Sequence, residues 1–251
     1  MHLTIGSRSE TGPRKMNQDF LGSWPKLGLY VVADGMGGHN AGEVASQLAV
    51  EAIHTFIAQS AAGGPDLTWP FGLEVAHSVD MNRLITAVRL ANRRIHDEGS
   101  KDPRLSGMGT TVVAALVSDD RLVLTSVGDS RVYRFRGGTL EQLTQDDTWL
   151  ASVLGAKEAS EADRTHPLRH VLTSVVGTRD DVKPGAREEV LIAGDTFVLC
   201  TDGVHGRLDH AALTAALDGA LGPEDGASRL VGDALASGTS DNATALVITI
   251  S

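Results

Sequence analysis

The sequence predicts an α+β domain built on a central antiparallel β-sandwich, with pairs of α-helices on its outer faces. Three observations lead to this fold class. Strand-like segments form two blocks, two long amphipathic segments lie between the first and second block, and two shorter helical segments precede a last apolar strand. Sheets and helices of this kind bury their apolar faces against one another, so we expect a four-layer αββα arrangement.

The first half of the chain is predicted to contain two strands and two long helices. We expect a short strand at 3–7 and a buried strand at 30–33. Apolar residues recur at helical spacing over 43–58, which predicts a helix facing the core. A second amphipathic helix is expected at 81–98, with Ser78 or Asp80 as its N-cap.

The second half is predicted to begin with an antiparallel meander. Short polar or glycine turns join its four β-rich runs, at 110–118, 122–127, 131–136 and 140–143. The remaining expected elements are short helices at 148–154 and 168–174, a strand at 196–200, helices at 210–217 and 227–236, and a final strand at 243–250.

Composition limits the class of protein. With 251 residues, 41% of them apolar, and no Pro-rich or Ser-rich linker, the chain is expected to form one domain. The formal net charge of −10 disfavours nucleic acid or an anionic membrane as partner. A single cysteine, Cys200, and the lack of a signal peptide or membrane-span pattern predict a cytoplasmic protein. We expect a monomer.

Four acids stand at strand ends in separate parts of the chain: Asp34, Asp129, Asp202 and Asp241. They could converge at one end of the sandwich. Two carboxylates about 4 Å apart repel by ~4 kcal/mol at an effective dielectric constant of roughly 20, so such a cluster requires protons or cations. Carboxylates suit hard divalent ions such as Mg²⁺ and Mn²⁺, and no Cys/His spacing suggests zinc.

Eight short motifs extend this pattern along the whole chain. They are, in order, RKMNQD, VVADGMGGHNAGEVAS, GMGTTVVAAL, SVGDSRVYR, LTQDD, HVLTSVVG, VLCTDGVHG and SDNATALVI. Together they resemble the metal-dependent protein serine/threonine phosphatases of type 2C (PPM), in their compact bacterial form. The resemblance implies one phosphatase domain over residues 1–251, with a binuclear Mn²⁺ or Mg²⁺ centre and a variable flap at about 144–180.

The family pattern also implies which residues hold metal. By this resemblance, Asp34 bridges two ions and the Gly35 carbonyl ligates one of them. Asp202 and Asp241 hold the other ion. Asp129 belongs to a third, weaker site.

Two further residues receive catalytic roles from the resemblance. Asp19 is expected to orient a metal-bound water, and Arg14 to bind the phosphate of the substrate. A planar guanidinium makes paired hydrogen bonds to phosphate that the neighbouring Lys15 could not copy.

Two positions depart from the family pattern. Met36 stands where some relatives carry a histidine proposed as the general acid, which leaves the source of the leaving-group proton open. Gly206 stands where the family usually has another acid, which predicts a weaker third metal site. His39 and His205 lie close in sequence to the acids and either assist the substrate or stabilise loops.

The implied function is hydrolysis of phosphoserine and phosphothreonine by attack of a metal-bridging hydroxide, opposing a bacterial Ser/Thr kinase. The partner is then a phosphorylated protein, such as the kinase or its targets. Two alternatives stay open. One is a non-catalytic binding or regulatory module with the same fold, which would tolerate the loss of a core acid. The other is a phosphatase acting on a different phosphate ester.

Overall fold

The structure, a computed structural model, describes residues 1–38, 41–63, 69–154, 168 and 171–251. Short 3₁₀ turns lie at Pro25–Leu27 and Pro103–Leu105. The described strands are β1 Leu3–Glu10, β2 Asp19–Trp24, β3 Leu29–Met36, β4 Gly109–Thr110, β5 Val112–Ser118, β6 Arg121–Val127, β7 Arg131–Arg136, β8 Thr139–Gln142, β9 Gly185–Val190, β10 Thr196–Cys200 and β11 Ala243–Ile250. The described helices are α1 Ala41–Ala61, α2 Val79–Lys101, α3 Trp149–Leu154, α4 Asp202–His205, α5 His210–Asp218 and α6 Pro223–Ala236.

The strands form two antiparallel sheets. The first has the order β1-β11-β10-β7-β8, and the second has the order β2-β3-β5-β6-β9, with the short β4 paired to β3. The long final strand β11 pairs with the first strand β1 over its whole length, from Leu3 opposite Ile250 to Glu10 opposite Ala243. This pairing places the two ends of the chain at the same side of the first sheet.

Alternation along the strands divides the core into three layers. On β3, Tyr30 and Val32 pack between the two sheets, whereas Leu29, Val31 and Ala33 pack under α1 and α2. A third cluster lies between the first sheet and the helices α5 and α6. Three separate apolar layers require four layers of secondary structure, and the predicted αββα architecture is confirmed.

The two long helices agree with their sequence patterns. Leu84, Val88, Ala91 and Ile95 of α2 are fully buried, as the helical period predicts. Ser78 is the N-cap of α2, because its hydroxyl accepts a hydrogen bond from the amide of Met81. None of the helices in the described ranges has the length and apolar character needed to cross a bilayer.

The predicted meander is wrong at its centre. The hairpins β5–β6 and β7–β8 form as expected, but β6 belongs to the second sheet and β7 to the first. The chain crosses between the sheets at Gly128, Asp129 and Ser130. Gly128 has a φ of 99° and lies against Thr111, where a Cβ atom would come within 2.7 Å of the threonine side chain.

Two other expectations differ from the structure. No helix is present at 171–174 in the described part of 168–174; Leu172 instead forms an isolated β-bridge with Thr148. Strand β9 has no apolar alternation in its sequence, GAREEV, and was not predicted. It lies at the edge of the second sheet, where charged residues are common. Of the predicted flap at about 144–180, residues 155–167 and 169–170 lie outside the described residues.

Candidate functional site

Asp19 and Asp34 are opposite each other on the paired strands β2 and β3. Asp34 follows Val32 by two positions and therefore lies on the face of β3 that is directed toward the first sheet. Asp19 reaches across to that sheet, where the hydroxyls of Thr201 and Thr244 donate to its Oδ2 atom at 2.9 and 2.7 Å. The Asp19 side chain thus connects the two sheets at this end of the sandwich.

The backbone of Asp34 is fixed by the segment that joins β4 to β5. Its carbonyl oxygen accepts hydrogen bonds of 2.8 Å from the Thr111 amide and from the Thr110 hydroxyl. Its amide donates to Thr111 Oγ1 at 3.1 Å, and this oxygen also shares a 2.7 Å hydrogen bond with Ser130 Oγ. Sequence reasoning did not assign roles to these hydroxyls, although they belong to the quoted motifs GMGTT and GDS.

Gly35 allows the first turn of α1 to approach β3. A Cβ atom at this position would lie 2.0 Å from the Gly42 carbonyl oxygen and 2.8 Å from the Gln18 carbonyl oxygen. Any side chain here would therefore push α1 away from the strand that carries Asp34. The role of the Gly35 carbonyl as a metal ligand stays a prediction.

Asp202 and Asp241 are brought together by a second close backbone approach. Asp202 is the first residue of α4, directly after β10. A Cβ atom on Gly203 would lie 1.8 Å from the Asn242 carbonyl oxygen, so only glycine lets α4 begin against the loop before β11. Asp241 accepts a 2.8 Å hydrogen bond from the Asn242 amide and a 2.7 Å ion pair from Arg14.

Asn242 holds the loop on which Arg14 lies. Its Oδ1 atom accepts from the Gln18 amide at 2.8 Å, and its Nδ2 atom donates to the carbonyl oxygens of Thr11 and Met16, each at 2.8 Å. Three contacts from one amide fix both ends of the loop. The motif SDNAT contained Asn242, but nothing local in the sequence identifies partners more than two hundred residues away.

Arg14 contacts one of the acids, Asp241. Its Nη2 atom pairs with Asp241, and its Nε atom donates to the Ser240 carbonyl oxygen at 2.8 Å. Its side chain is 54% exposed, and Nη1 makes no hydrogen bond with a described residue. Arg14 therefore has one nitrogen available for a ligand while two are engaged. Its predicted role in phosphate binding stays a prediction.

Asp129 lies in the turn that crosses between the sheets. The pKa of its carboxyl group is raised to about 8, first by burial and then by the charges of Asp202 and Asp146. His205 Nε2 donates to the Asp129 backbone carbonyl at 2.9 Å, which ties α4 to this turn. This contact gives His205 a role in stabilising the loop. His39 lies outside the described residues.

The predicted acids lie close enough together for their charges to affect one another's titration. The pKa of Asp19 is raised to about 7. Burial is the main cause, two hydroxyl hydrogen bonds oppose it, and the charges of Asp202 and Asp241 contribute to the rise. The pKa of Asp34 is raised well above its usual range, first by burial and then by the charges of the other four acids. The mutually interacting set is Asp19, Asp34, Asp129, Asp202 and Asp241.

The residues present fit hard divalent cations. The cluster offers oxygen ligands and an excess of negative charge, and the Oδ1 atom of Asp19 is buried without a hydrogen-bond partner among the described residues. As the described side chains stand, no three Asp, Glu, His or Cys residues are placed to hold a single ion. Asp241 would have to exchange its contact with Arg14 for an ion, or each ion would take part of its shell from water.

The sequence is similar to those of known proteins. The sequence profile of the protein phosphatase 2C family matches residues 8–231. The serine/threonine protein phosphatase PstP of Mycobacterium tuberculosis is 34% identical over 98% of this chain, which spans 44% of the length of that protein. The serine/threonine phosphatase stp of Listeria welshimeri is 30% identical over 88% of this chain and 83% of its own length.

A solved structure extends the likeness to three dimensions. The crystal structure of the catalytic domain of the serine/threonine protein phosphatase PstP, in complex with two manganese ions, superposes with a TM-score of 0.80. It is 32% identical in sequence, and the match covers 99% of both chains.

The raised pKa values predict how the metal-free protein responds to pH. Between the ordinary carboxyl pKa of about 3.9 and the raised values near 7 and 8, the folded protein holds protons that the unfolded chain has lost. Folding therefore becomes less favourable as pH rises through this range. In EDTA we expect the melting temperature to fall by several degrees between pH 5 and pH 8.5, since ~1 kcal/mol corresponds to about 2–4 °C for a domain of this size.

Asp129→Asn should reduce this fall, because its neutral amide mimics the protonated carboxyl group at every pH. Asp218→Asn, at an exposed acid on α5, is the matched control and should melt with the pH dependence of the parent. Equal pH dependence in the parent and in Asp129→Asn would show that Asp129 does not titrate in this range.

Proposed function

The chain belongs to the protein phosphatase 2C family, and we propose that it hydrolyses phosphoserine and phosphothreonine in phosphoproteins with Mn²⁺ or Mg²⁺ as cofactor. The observation that carries the proposal is the convergence of five buried or partly buried acids from separate parts of the chain at one end of the sandwich. A binding module with this fold would gain nothing from such mutual repulsion. The retention of all five acids therefore favours catalysis over the non-catalytic alternative.

Phosphate-monoester hydrolysis needs more than a general base. The uncatalysed reaction is so slow that enzymes accelerate it by up to ~10²¹-fold, whereas a positioned base supplies about 10²–10⁴-fold. Bound divalent ions lower the pKa of water and neutralise the charge that develops on the phosphoryl oxygens. Asp34, Asp202 and Asp241 are the residues proposed to hold the two core ions, with Asp129 contributing to a weaker third site.

Asp19 is proposed to orient the attacking water and accept its proton. Its Oδ2 atom is anchored by two threonine hydroxyls, which fixes the carboxylate and leaves Oδ1 as the remaining acceptor. A base is most effective when its pKa lies near the working pH, and burial moves Asp19 in that direction. Arg14 is proposed to bind the phosphate, starting from the nitrogen that is not engaged by Ser240 and Asp241.

The substrate class follows from the relatives. Both curated relatives described above are serine/threonine phosphatases. We therefore propose that this protein reverses the action of a bacterial Ser/Thr kinase on shared targets or on the kinase itself. The segment at 144–180 is proposed to border the substrate groove, since its described parts include Asp147, which contacts the turn that carries Asp129.

The first prediction concerns metal removal. We expect activity on phosphopeptides to disappear in EDTA and to return with Mn²⁺ or Mg²⁺. Asp202→Asn should lower kcat by about 10³-fold or more, since it removes a ligand charge worth several kcal/mol in the transition state. Circular dichroism should show that the variant is folded, and Asp218→Asn should keep the parental rate. Full turnover in the presence of the chelator would refute the mechanism.

A second prediction separates two roles of Arg14. If it binds the substrate phosphate, Arg14→Ala should raise KM by about ten- to hundredfold, because hydrogen bonds to charged groups contribute about 1.5–3 kcal/mol. The same change should weaken inhibition by inorganic phosphate. The Mn²⁺ requirement should change little. Arg14→Lys keeps the charge but not the paired geometry, and should lie between the two.

The opposite pattern would identify Arg14 as a counter-ion of Asp241. In that case, phosphate inhibition would stay normal while the Mn²⁺ concentration for half-maximal activity shifted. The measured pair of constants, for phosphate and for Mn²⁺, therefore decides between the two roles.

A third prediction concerns Gly206. Its φ is −71°, an angle that any residue adopts, so a substitution causes no backbone strain. A Cβ atom would, however, lie 2.6 Å from the Asp202 carbonyl oxygen. Gly206→Asp should lower the Mn²⁺ concentration that gives half-maximal activity, because an added carboxylate strengthens the weak third site. Gly206→Ala adds the Cβ atom alone and controls for the steric cost. If both variants titrate alike, the carboxylate does not reach the third ion.

A further inference from the structure

A polar pocket lies beside the acid cluster. It has a volume of ≈ 440 Å³ and opens between β6 and β9 of the second sheet and the segment that follows β8. Its polar lining includes Ser126, Thr144, Gln145, Asp147, Lys183 and Arg187. None of these residues takes part in the proposed metal centre.

The pocket shares a wall with the turn that carries Asp129. Asp147 binds both backbone groups of Gly128: its Oδ2 atom accepts from the Gly128 amide at 3.0 Å, and its amide donates to the Gly128 carbonyl at 2.8 Å. Ser126, on another wall, is three residues before Asp129, or about 10 Å along an extended chain. A peptide whose phosphoresidue lies at the acids would reach this pocket within about three residues.

Two cations, Lys183 and Arg187, line the pocket together with one carboxylate, Asp147. Lys183 is exposed, and its ammonium group forms no ion pair with a described carboxylate, although its charge contributes to lowering the pKa of Asp181, two positions earlier. Arg187 is already engaged by Glu189 and, at 3.4 Å, by Glu141. The Asp147 carboxylate is used by Gly128. The chain as a whole carries a net charge of −10. Lys183 is a local cation on the pocket wall, and it would stabilise an acidic group of a ligand there.

The strand at the rim favours a peptide over a small anion. β9 pairs with β6 on one side and is the edge strand of the second sheet. Unpaired backbone groups of an edge strand can bind an extended chain, which is a common way of binding peptides. In β9 the two terminal carbonyls are already used, since Gly185 accepts from Thr125 and Val190 accepts from Arg136, so the residues between them are the ones that a peptide could pair with. A small anion would use the ammonium group alone and leave most of the ≈ 440 Å³ unfilled.

We propose that this pocket binds the segment of the phosphoprotein that flanks the phosphoresidue, and that Lys183 selects an acidic side chain in that segment. The inference rests on the proposed phosphatase function and adds a preference among its substrates. It assigns specificity to the β6–β9 edge of the sandwich, apart from the residues that hold metal.

The test compares phosphopeptides within each enzyme variant. Two series carry Glu, Gln or Lys at two to four residues from the phosphoserine, one series on each side. For the parent we expect kcat/KM to be about fivefold higher for the Glu peptide than for the Gln peptide in one series, mainly through a lower KM. A fivefold ratio is about the largest that one exposed charge pair supplies. The ratio should shrink at high salt, because exposed charges are screened.

Lys183→Glu should invert the ratio and favour the Lys peptide. Because the ratio is taken within one variant, a general loss of activity cancels. Lys26→Glu, on the Pro25–Leu27 turn, makes the same change in net charge and should keep the parental preference. An unchanged ratio in Lys183→Glu, or the same shift in both variants, would overturn the inference while leaving the phosphatase function intact.

Ala186→Trp tests the pocket without changing charge. Ala186 is exposed and lines the pocket, so a bulky side chain fills it. KM should rise for peptides that extend over the pocket and stay the same for peptides truncated at the phosphoserine on that side. An equal effect on full and truncated peptides would contradict a role of the pocket in binding the flanking chain. If the parent hydrolyses no phosphopeptide, the proposed function fails and this inference fails with it.

Discussion

Mutual repulsion among buried carboxylates is the constraint on which the rest of this structure depends. Five acids, three of which (Asp19, Asp34 and Asp129) have raised pKa values, can be held together only by a rigid scaffold and by compensating cations. The scaffold comes from strand ends of two sheets that pack through a continuous apolar layer. Compensation within the described chain is partial: Arg14 pairs with Asp241, and the Arg131 charge lowers the pKa of Asp129. Divalent ions complete the balance in the proposed enzyme.

The rigidity has specific sources. Glycines at positions 35 and 203 let helix starts approach strands and loops at distances that a Cβ atom would forbid. Hydroxyl groups are a second source, since those of Thr201 and Thr244 donate hydrogen bonds to Asp19 from the opposite sheet. The contacts of Gly203, Thr201 and Thr244 join segments that are distant in the sequence. The acids are therefore positioned by the whole fold, and removal of a single contact leaves several others in place.

The sequence predicted what local patterns encode. Helical periodicity identified α1 and α2, and the acids at strand ends were recognised because each follows or precedes an apolar run. Period-two alternation does not state which sheet a strand joins, so the crossing between β6 and β7 was not foreseen. Strand β9 was not predicted from the sequence, because it lies at the edge of a sheet and has polar residues on both faces. The Arg14–Asp241 pair spans 227 positions, and no local signal predicts it.

The turn at Gly128 and Asp129 is where the separate parts of the molecule meet. Asp147 binds both backbone groups of Gly128, and His205 binds the Asp129 carbonyl from α4. The segment of Asp147 is itself anchored, because the neighbouring Asp146 forms a bidentate ion pair with the partly buried Arg131. The same segment walls the pocket beside the acids. The position of Asp129 therefore depends on the segment of Asp147, which is proposed to border the substrate. The third metal site, the weakest of those proposed, lies where this segment contacts the turn of Asp129.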